Sequence, residues 1–256
     1  MPSRFLKQYV LPSDDHRFVG RIYDLSIVGM HFETYEELSK HADCKYAYDV
    51  SDVLSALTRR VESLNMLGGM LGPTKTPKDF KEFPVSRYEW LTVSADVFLM
   101  RYISVVDCAL ILVSEVFECD LSFEACTMQN LKKRPITQMV LTHLGQMIGD
   151  QGLLRKERNS RFHHGAERGF SSDDQVFRIG ALFEHRYKGA VGPNGRPLPV
   201  DRLFREGLVE LQREFNSVMR KVVRQLNRLY DMLEPEFESR FSPRFKAGPF
   251  ANNRTA

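Results

Sequence analysis

The sequence predicts an all-α helical bundle, and three observations support that fold class. Apolar residues recur every three or four positions in several long segments, which is the spacing of one face of an α-helix. Alternating strand and helix patterns are absent. The 256 residues are 43% hydrophobic and 27% charged, which is typical of a globular chain and excludes fibrous and wholly disordered proteins.

Residues 1–86 are expected to form an additional N-terminal segment with one helix at about 49–67. Apolar side chains recur at helical spacing in that stretch, and the pattern stops at Gly68, because glycine commonly ends a helix. The segment 17–48 fits neither a helical nor a strand period, so its structure stays open. Proline, glycine and lysine at 72–84 predict a connector, and hence a boundary near residue 86.

Residues 87–234 are expected to form the bundle, with helices at about 87–118, 132–156 and 201–233. The first helix is apolar nearly all round, which is typical of a central helix. The second has one apolar side and a proline in its expected first turn. The third carries one long apolar stripe. The arginines on its outer face are interpreted as a solvated surface, with contact to a phosphate backbone as the alternative.

The helix at 87–118 is long enough to cross a bilayer, but it contains three charged residues. Asp96, Arg101 and Asp107 would each cost roughly 2.5–3.5 kcal/mol at the centre of a membrane. We therefore expect a buried helix of a soluble protein that does not bind or cross a membrane. Two interpretations of these charges stay open: structural ion pairs, or groups that support a polar site nearby.

The first residues of the sequence and the distribution of its cysteines are typical of a cytoplasmic protein. The first ten residues lack the apolar stretch of a secretory signal. The four cysteines form neither a C-x-x-C pair nor a cluster with histidines, so we expect no disulfide, no zinc and no other cofactor. Pro235 is expected to end the last helix, and residues 235–256 are expected to form a poorly ordered tail.

The most informative segment runs from Arg155 to Arg168. It contains the pattern R-N-x-x-x-H at Arg158, Asn159 and His163, with a second histidine, His164, beside it. Five Arg or Lys against two Glu place a charge of +3 in this segment, and basic charge concentrated in this way favours phosphate. On a helix Asn159 and His163 share a face, while Arg158 lies about 100° away.

This pattern resembles the signature of the HEPN superfamily, the higher-eukaryote-and-prokaryote nucleotide-binding helical bundles. That signature is an arginine, a polar residue and a histidine four to six positions on. The stretch from Arg87 to Asp107 is similar to the long first helix of such a domain. The resemblance covers residues 87–233 and is most specific at Arg158, Asn159 and His163.

The resemblance implies metal-independent cleavage of RNA at a site shared by two copies of the chain. A histidine near its ordinary pKa of about 6.5 can act as base or acid, and a guanidinium can stabilise the charged phosphate. The implied catalytic residues are Arg158, Asn159 and His163. Weaker candidates for substrate contact are Arg155, Arg161, His164, Arg101 and Asp107. RNA, a homodimer and an antitoxin or regulatory protein are the implied partners, in a toxin or defence role.

Two alternatives stay open at this point. Arg158 and His163 can simply cap a helix, as basic residues near helix ends often do. A HEPN-type bundle can also serve as a non-catalytic interaction module or bind RNA or a nucleotide without cleavage, because fold does not determine function.

Overall fold

A computed structural model describes residues 15–72, 76–77, 79–187, 189, 191–192 and 194–247. This part of the chain contains eight α-helices and one 3-10 turn, Ile27–His31, and no β-strand apart from an isolated bridge between Val191 and Pro197. The helices are α1 Arg17–Ser26, α2 Tyr35–Ser39, α3 Ala42–Met70, α4 Arg87–Val116, α5 Met128–Leu131, α6 Gln138–His164, α7 Asp174–Arg186 and α8 Val200–Ala247. The predicted all-α bundle is confirmed.

Three predicted helices are present with changed ends. The helix expected at about 49–67 extends over the whole of α3, and the apolar helix at 87–118 corresponds to α4. The helix expected from residue 132 begins only at Gln138, so Pro135 precedes it rather than lying in its first turn. The sequence missed α7, whose Asp173 accepts a hydrogen bond from the Val176 N–H and caps its start.

The expected end of the last helix at Pro235 is wrong. Helix α8 continues through Pro235 and Pro243 to Ala247, because its apolar stripe continues through buried Phe237 and Phe241. Phe237 stacks on Tyr46 at 5.2 Å between ring centroids, and this packing offsets the backbone hydrogen bonds that the prolines remove. Residues 235–247 are thus helical, and residues 248–256 of the expected tail lie outside the described residues.

The chain divides into two compact units, each made of several separate stretches of the sequence. The described part of the first unit comprises residues 63–72, 76–77, 79–102, 152–187, 189, 191–192 and 194–220. The described part of the second comprises 15–62, Ile103–Gln151 and 221–247. Helices α3, α4 and α8 each contribute residues to both units.

The core of the first unit is aromatic and positions the ends of α4 and α8. Phe80, Trp90 and Phe204 contact one another edge to face, and the Arg87 guanidinium lies 4.9 Å from the Phe80 ring centroid. A side chain at Gly207 would lie within 3 Å of Phe170 and Leu91, so only glycine lets α8 pass this closely.

The second unit is built on a column of aromatic rings along α8. Phe18 on α1 contacts Tyr230 and Phe237, and the Tyr46 hydroxyl donates to the Val116 carbonyl at 2.7 Å. These rings are all buried, which anchors α1 and α3 to the second half of α8. Residues 17–48, which the sequence left open, comprise α1, the 3-10 turn, α2 and the start of α3, and the buried Phe18, Val19 and Ile22 of α1 do recur at helical spacing.

Helix α4 is long and apolar enough to span a membrane by length and composition. Its most apolar window is 61% buried inside the protein, which fits the core helix of a soluble protein. The helix starts with reciprocal hydrogen bonds between Ser86 and Glu89, at 2.7 and 3.3 Å. The bond from the Ser86 N–H is the main cause that holds the pKa of Glu89 below its ordinary value.

Candidate functional site

The predicted motif lies in the last three turns of α6, within the first unit. Gly152 interrupts the helical backbone with φ 28° and ψ −107°, and the helix resumes from Leu153 to His164. Asn159 and His163 are exposed, and their spacing of four residues places them on one face. Arg158 precedes Asn159 and is partly buried. The helical setting predicted for the motif is therefore present.

The helix ends directly after the two histidines. Gly165 adopts a φ of 66°, a left-handed conformation that ends helices and that glycine adopts without strain. The Ala166 N–H then donates to the Ser160 carbonyl at 3.3 Å. Arg158 and His163 donate no hydrogen bond to a helix carbonyl among the described residues. This observation does not favour the interpretation that the two side chains cap the helix.

The arginines of this segment have different partners. Arg161 Nη2 lies 2.6 Å from the Asp96 carboxylate, and Arg168 Nη1 lies 2.8 Å from that of Glu214. Both arginines also contact Glu157, at 3.6 and 3.4 Å. These four groups and Asp96 form a largely buried ion-pair network that connects α4, α6 and α8 within the first unit.

Arg158 differs from these arginines. Its Nε is buried and has no hydrogen-bond partner, and no carboxylate among the described residues forms an ion pair with it. A buried donor without an acceptor costs about 1–3 kcal/mol, so an anion that accepts a hydrogen bond from this guanidinium would be favoured. Arg158 is therefore an arginine with an unsatisfied donor, five positions before the exposed His163 on the same helix.

A cleft of about 570 Å³ lies beside the motif in the same unit. Helix α4 contributes Tyr88, Thr92, Val93 and Asp96, α6 contributes Arg161 and Phe162, and α7 contributes Arg178, Ile179 and Leu182. The loop after α6 completes the wall with residues 165–168, and Ser86 and Glu89 lie at the start of α4. The cleft is within the usual size range of small-molecule sites.

Two ionisable groups in the cleft wall are shifted towards their neutral forms. Burial raises the pKa of Asp96, and the positive charge of Arg161 only partly opposes this effect. Burial also raises the pKa of Tyr88 to about 12, with a further contribution from its 2.9 Å hydrogen bond to Asp174. Asp174 in turn accepts the Phe170 N–H at 2.7 Å, which attaches the loop after α6 to the start of α7.

The structure brings some of the weaker predicted residues into the site and leaves others outside the cleft. Arg161 forms the ion pair with Asp96, as the structural interpretation of the α4 charges predicts. Arg101, Asp107 and Arg155 are partly buried and each has an interaction partner, but none of the three lines the cleft. His164 is exposed at the end of α6.

Sequence reasoning missed several residues of this region. Glu214 lies on α8 among charged residues, and nothing in the sequence pattern distinguishes this network carboxylate from a surface one. Tyr88 and Asp174 are 86 positions apart, and only the fold brings them together. A detectable signal was present for Glu157 and Arg161, because residues four apart on a helix can form an ion pair.

Other groups in the described residues have structural roles or make no cluster. The four cysteines are free thiols. No group of three or more His, Cys, Asp or Glu with a metal-binding arrangement occurs among the residues that the structure describes. His185 contacts the Phe83 carbonyl through Nε2 at 2.8 Å, which anchors the end of α7.

Comparisons with known protein families, with characterised proteins and with solved structures find no significant match to this chain. The resemblance to the HEPN superfamily therefore depends on the motif and its helical setting alone.

Proposed function

We propose that this chain is a metal-independent endoribonuclease whose catalytic residues are Arg158, Asn159 and His163. One observation carries the proposal. The last turns of α6 expose an imidazole and an amide on one face, beside an arginine that has no acidic partner among the described residues. These are the groups that the HEPN-like motif assigns to RNA cleavage.

The reaction needs only proton transfer and charge stabilisation. One His163 takes the proton of an RNA 2′-hydroxyl, and the 2′-oxygen attacks the adjacent phosphorus. The bond from phosphorus to the 5′-oxygen breaks, and a protonated imidazole gives its proton to that oxygen. The products are a 2′,3′-cyclic phosphate and a 5′-hydroxyl, so atoms and protons balance.

Arg158 and Asn159 support this step. The guanidinium donates to the non-bridging phosphate oxygens and stabilises the additional negative charge in the transition state. Asn159 precedes His163 by one helical turn, so its amide can hydrogen-bond the same phosphate group. A partly buried arginine loses less of its attraction to solvent screening than a fully exposed one.

We further propose that the enzyme is a homodimer, because each motif supplies one His163 while the reaction uses a base and an acid. Two facing motifs would provide both groups and two guanidinium cations. Uncontrolled RNA cleavage would harm a cell, so the proposal includes a toxin or defence role in the cytoplasm and an antitoxin or other regulatory protein.

The test is cleavage of single-stranded RNA by the purified full-length chain in EDTA. We expect fragments ending in 2′,3′-cyclic phosphate and no cleavage of DNA of the same sequence, because DNA lacks the attacking hydroxyl. RNA that stays intact at all enzyme concentrations, or cleavage that EDTA abolishes, would contradict the proposal. RNA binding without cleavage would support the non-catalytic alternative.

Sedimentation of the same sample tests the dimer. A monomer at tens of micromolar, a concentration at which specific interfaces normally form, would contradict the composite site. Activity that rises with the square of the enzyme concentration in the dilute range would support it, because two chains would then form each site.

A further inference from the structure

The cleft between α4, α6 and α7 has one apolar and aromatic wall. Phe162 is 45% exposed, and Val93, Ile179 and Leu182 also keep a third or more of their surface accessible. Tyr88 is buried at the other side, with the Arg178 guanidinium 5.9 Å from its ring centroid. Exposed aromatic rings in clefts provide stacking surfaces for planar ligands, including unpaired bases.

The polar part of the cleft is centred on Asp96. Its Oδ1 accepts from Arg161 at 2.6 Å, and no other hydrogen bond of this carboxylate involves a described residue. The Asp96 side chain is 31% exposed, so the carboxylate keeps acceptor capacity towards the cleft. Arg161 is only 7% exposed, and its Nη1 is buried without a hydrogen-bond acceptor. The cleft therefore contains an available acceptor, which is held by a buried arginine whose Nη1 lies 3.6 Å from Glu157.

The charges in the cleft wall balance, which indicates the kind of ligand. The lining contains three carboxylates and three guanidinium groups, which belong to Glu89, Asp96, Glu167, Arg161, Arg168 and Arg178. Arg161 pairs with Asp96 at 2.6 Å, and Arg178 pairs with Glu167 at 2.8 Å. Arg168 pairs with Glu214, which is outside the cleft lining, at 2.8 Å. A phosphate would find no uncompensated cation here, whereas a neutral planar ring with hydrogen-bond donors would fit.

We propose that this cleft binds a guanine base of the RNA substrate, so that cleavage occurs next to guanine. Its N1–H and N2–H donate to the Asp96 carboxylate, and its ring stacks on Phe162. The O6 atom then lies towards the Arg161 guanidinium, which holds the Asp96 carboxylate in place. The inference rests on the proposed ribonuclease function for the identity of the ligand.

Guanine is favoured because of the donors on its edge. It has two adjacent N–H donors, which match the two oxygens of one carboxylate. Adenine and cytosine each place an acceptor nitrogen beside one amino group, and uracil places a carbonyl on each side of its single N–H. Phe162 follows Asn159 by three positions and Arg158 by four, so these side chains are neighbours on α6, and a base stacked on Phe162 brings the adjoining phosphate towards them.

The experiment measures cleavage of four short RNAs that differ in one base within an otherwise identical strand. We expect the guanine substrate to be cut about 10- to 100-fold faster than the others, the usual discrimination of a bidentate contact. The Asp96→Asn variant should shift this preference towards adenine and cytosine, because an amide donates to the ring nitrogen and accepts from the neighbouring amino group. Asp52→Asn is the matched control, since Asp52 is exposed and lies outside the cleft.

A second variant covers the case in which Asp96→Asn does not fold. Phe162→Ala changes an exposed side chain and should reduce guanosine binding about 10-fold or more, as measured by calorimetry on the full chain. Equal cleavage of all four RNAs, together with guanosine binding that Phe162→Ala does not change, would overturn the guanine site and leave the ribonuclease proposal intact. Guanosine binding that depends on Asp96 and Phe162, without RNA cleavage, would support the site and contradict the ribonuclease proposal.

Discussion

Before Gly152, helix α6 buries a histidine, and after Gly152 it exposes two. His143 is 3% exposed, and its Nε2 donates to the Gln225 carbonyl at 2.8 Å. His163 and His164 are exposed and make no hydrogen bond to a described residue. The residue type is the same, so burial and bonding decide that His143 serves packing while His163 is available for a substrate.

The two halves of α6 also differ in composition. The half before Gly152 has five buried side chains in addition to His143, namely Val140, Leu141, Leu144, Met147 and Gln151. No apolar residue from Leu153 to His164 is buried, and that half contains the charged motif together with Glu157 and Arg161 of the ion-pair network. A helix half that buries little can place its polar groups in solvent, whereas the other half is constrained by its core contacts.

The largest expected effect separates the two kinds of histidine. His163→Ala should reduce the rate of RNA cleavage by about 10² to 10⁴, because it removes the proton-transfer group. Thermal unfolding should change little, since the side chain is exposed. His164→Ala is the matched control. It should have a smaller effect, because the His164 side chain projects about 100° from that of His163 around the helix axis. An unchanged cleavage rate for His163→Ala would remove the basis for its catalytic role.

Arg158→Ala should have the next largest effect, about 10² to 10³ in cleavage rate, as for other preorganised donors to a developing negative charge. Arg228→Ala is the control, since Arg228 is an exposed arginine of the other compact unit. Both variants are measured for cleavage at two salt concentrations. Similar losses for the two would show that general positive charge, and not the position of Arg158, supports the reaction.

For the buried His143, we expect a loss of stability and not of RNA cleavage. His143→Ala should lower the free energy of unfolding by about 2–4 kcal/mol, because it leaves a cavity and breaks a buried hydrogen bond. Cleavage per folded molecule should stay close to that of the parent. Denaturant unfolding measures the change, with exposed His31→Ala as control. Equal unfolding midpoints for these two variants would contradict a structural role for His143.

The smallest expected effect concerns Gly152, which separates the two halves. Its φ of 28° strains any residue with a side chain, so Gly152→Ala should destabilise the protein by about 1 kcal/mol. Gly149→Ala is the control: it lies in the regular part of α6 with open space around its Cα. Alanine there should stabilise by about 0.5–1 kcal/mol. Stabilisation by both variants would mean that the helix can straighten through residue 152.

The sequence predicted the long helices well, because their apolar residues recur at a clear period. It failed at Pro235, where local propensity favours a helix end but burial of Phe237 and Phe241 maintains the helix. It also missed α7, whose thirteen residues expose Ile179, Leu182 and Phe183 and so lack a clean polar face. Local patterns are reliable where one face packs and the other is solvated, and they fail where tertiary contacts override them.

The sequence by itself determined the all-α class and the grouping of Arg158, Asn159 and His163 on one helical segment, because helical spacing is a local property. Only the tertiary structure decided which charges pair and which stay available. Asp96 meets Arg161 across 65 positions, and Arg168 meets Glu214, while Arg158 receives no carboxylate among the described residues. Ion pairing depends on distances in space, and the period of a sequence contains no information on which distant side chains the packed core brings together.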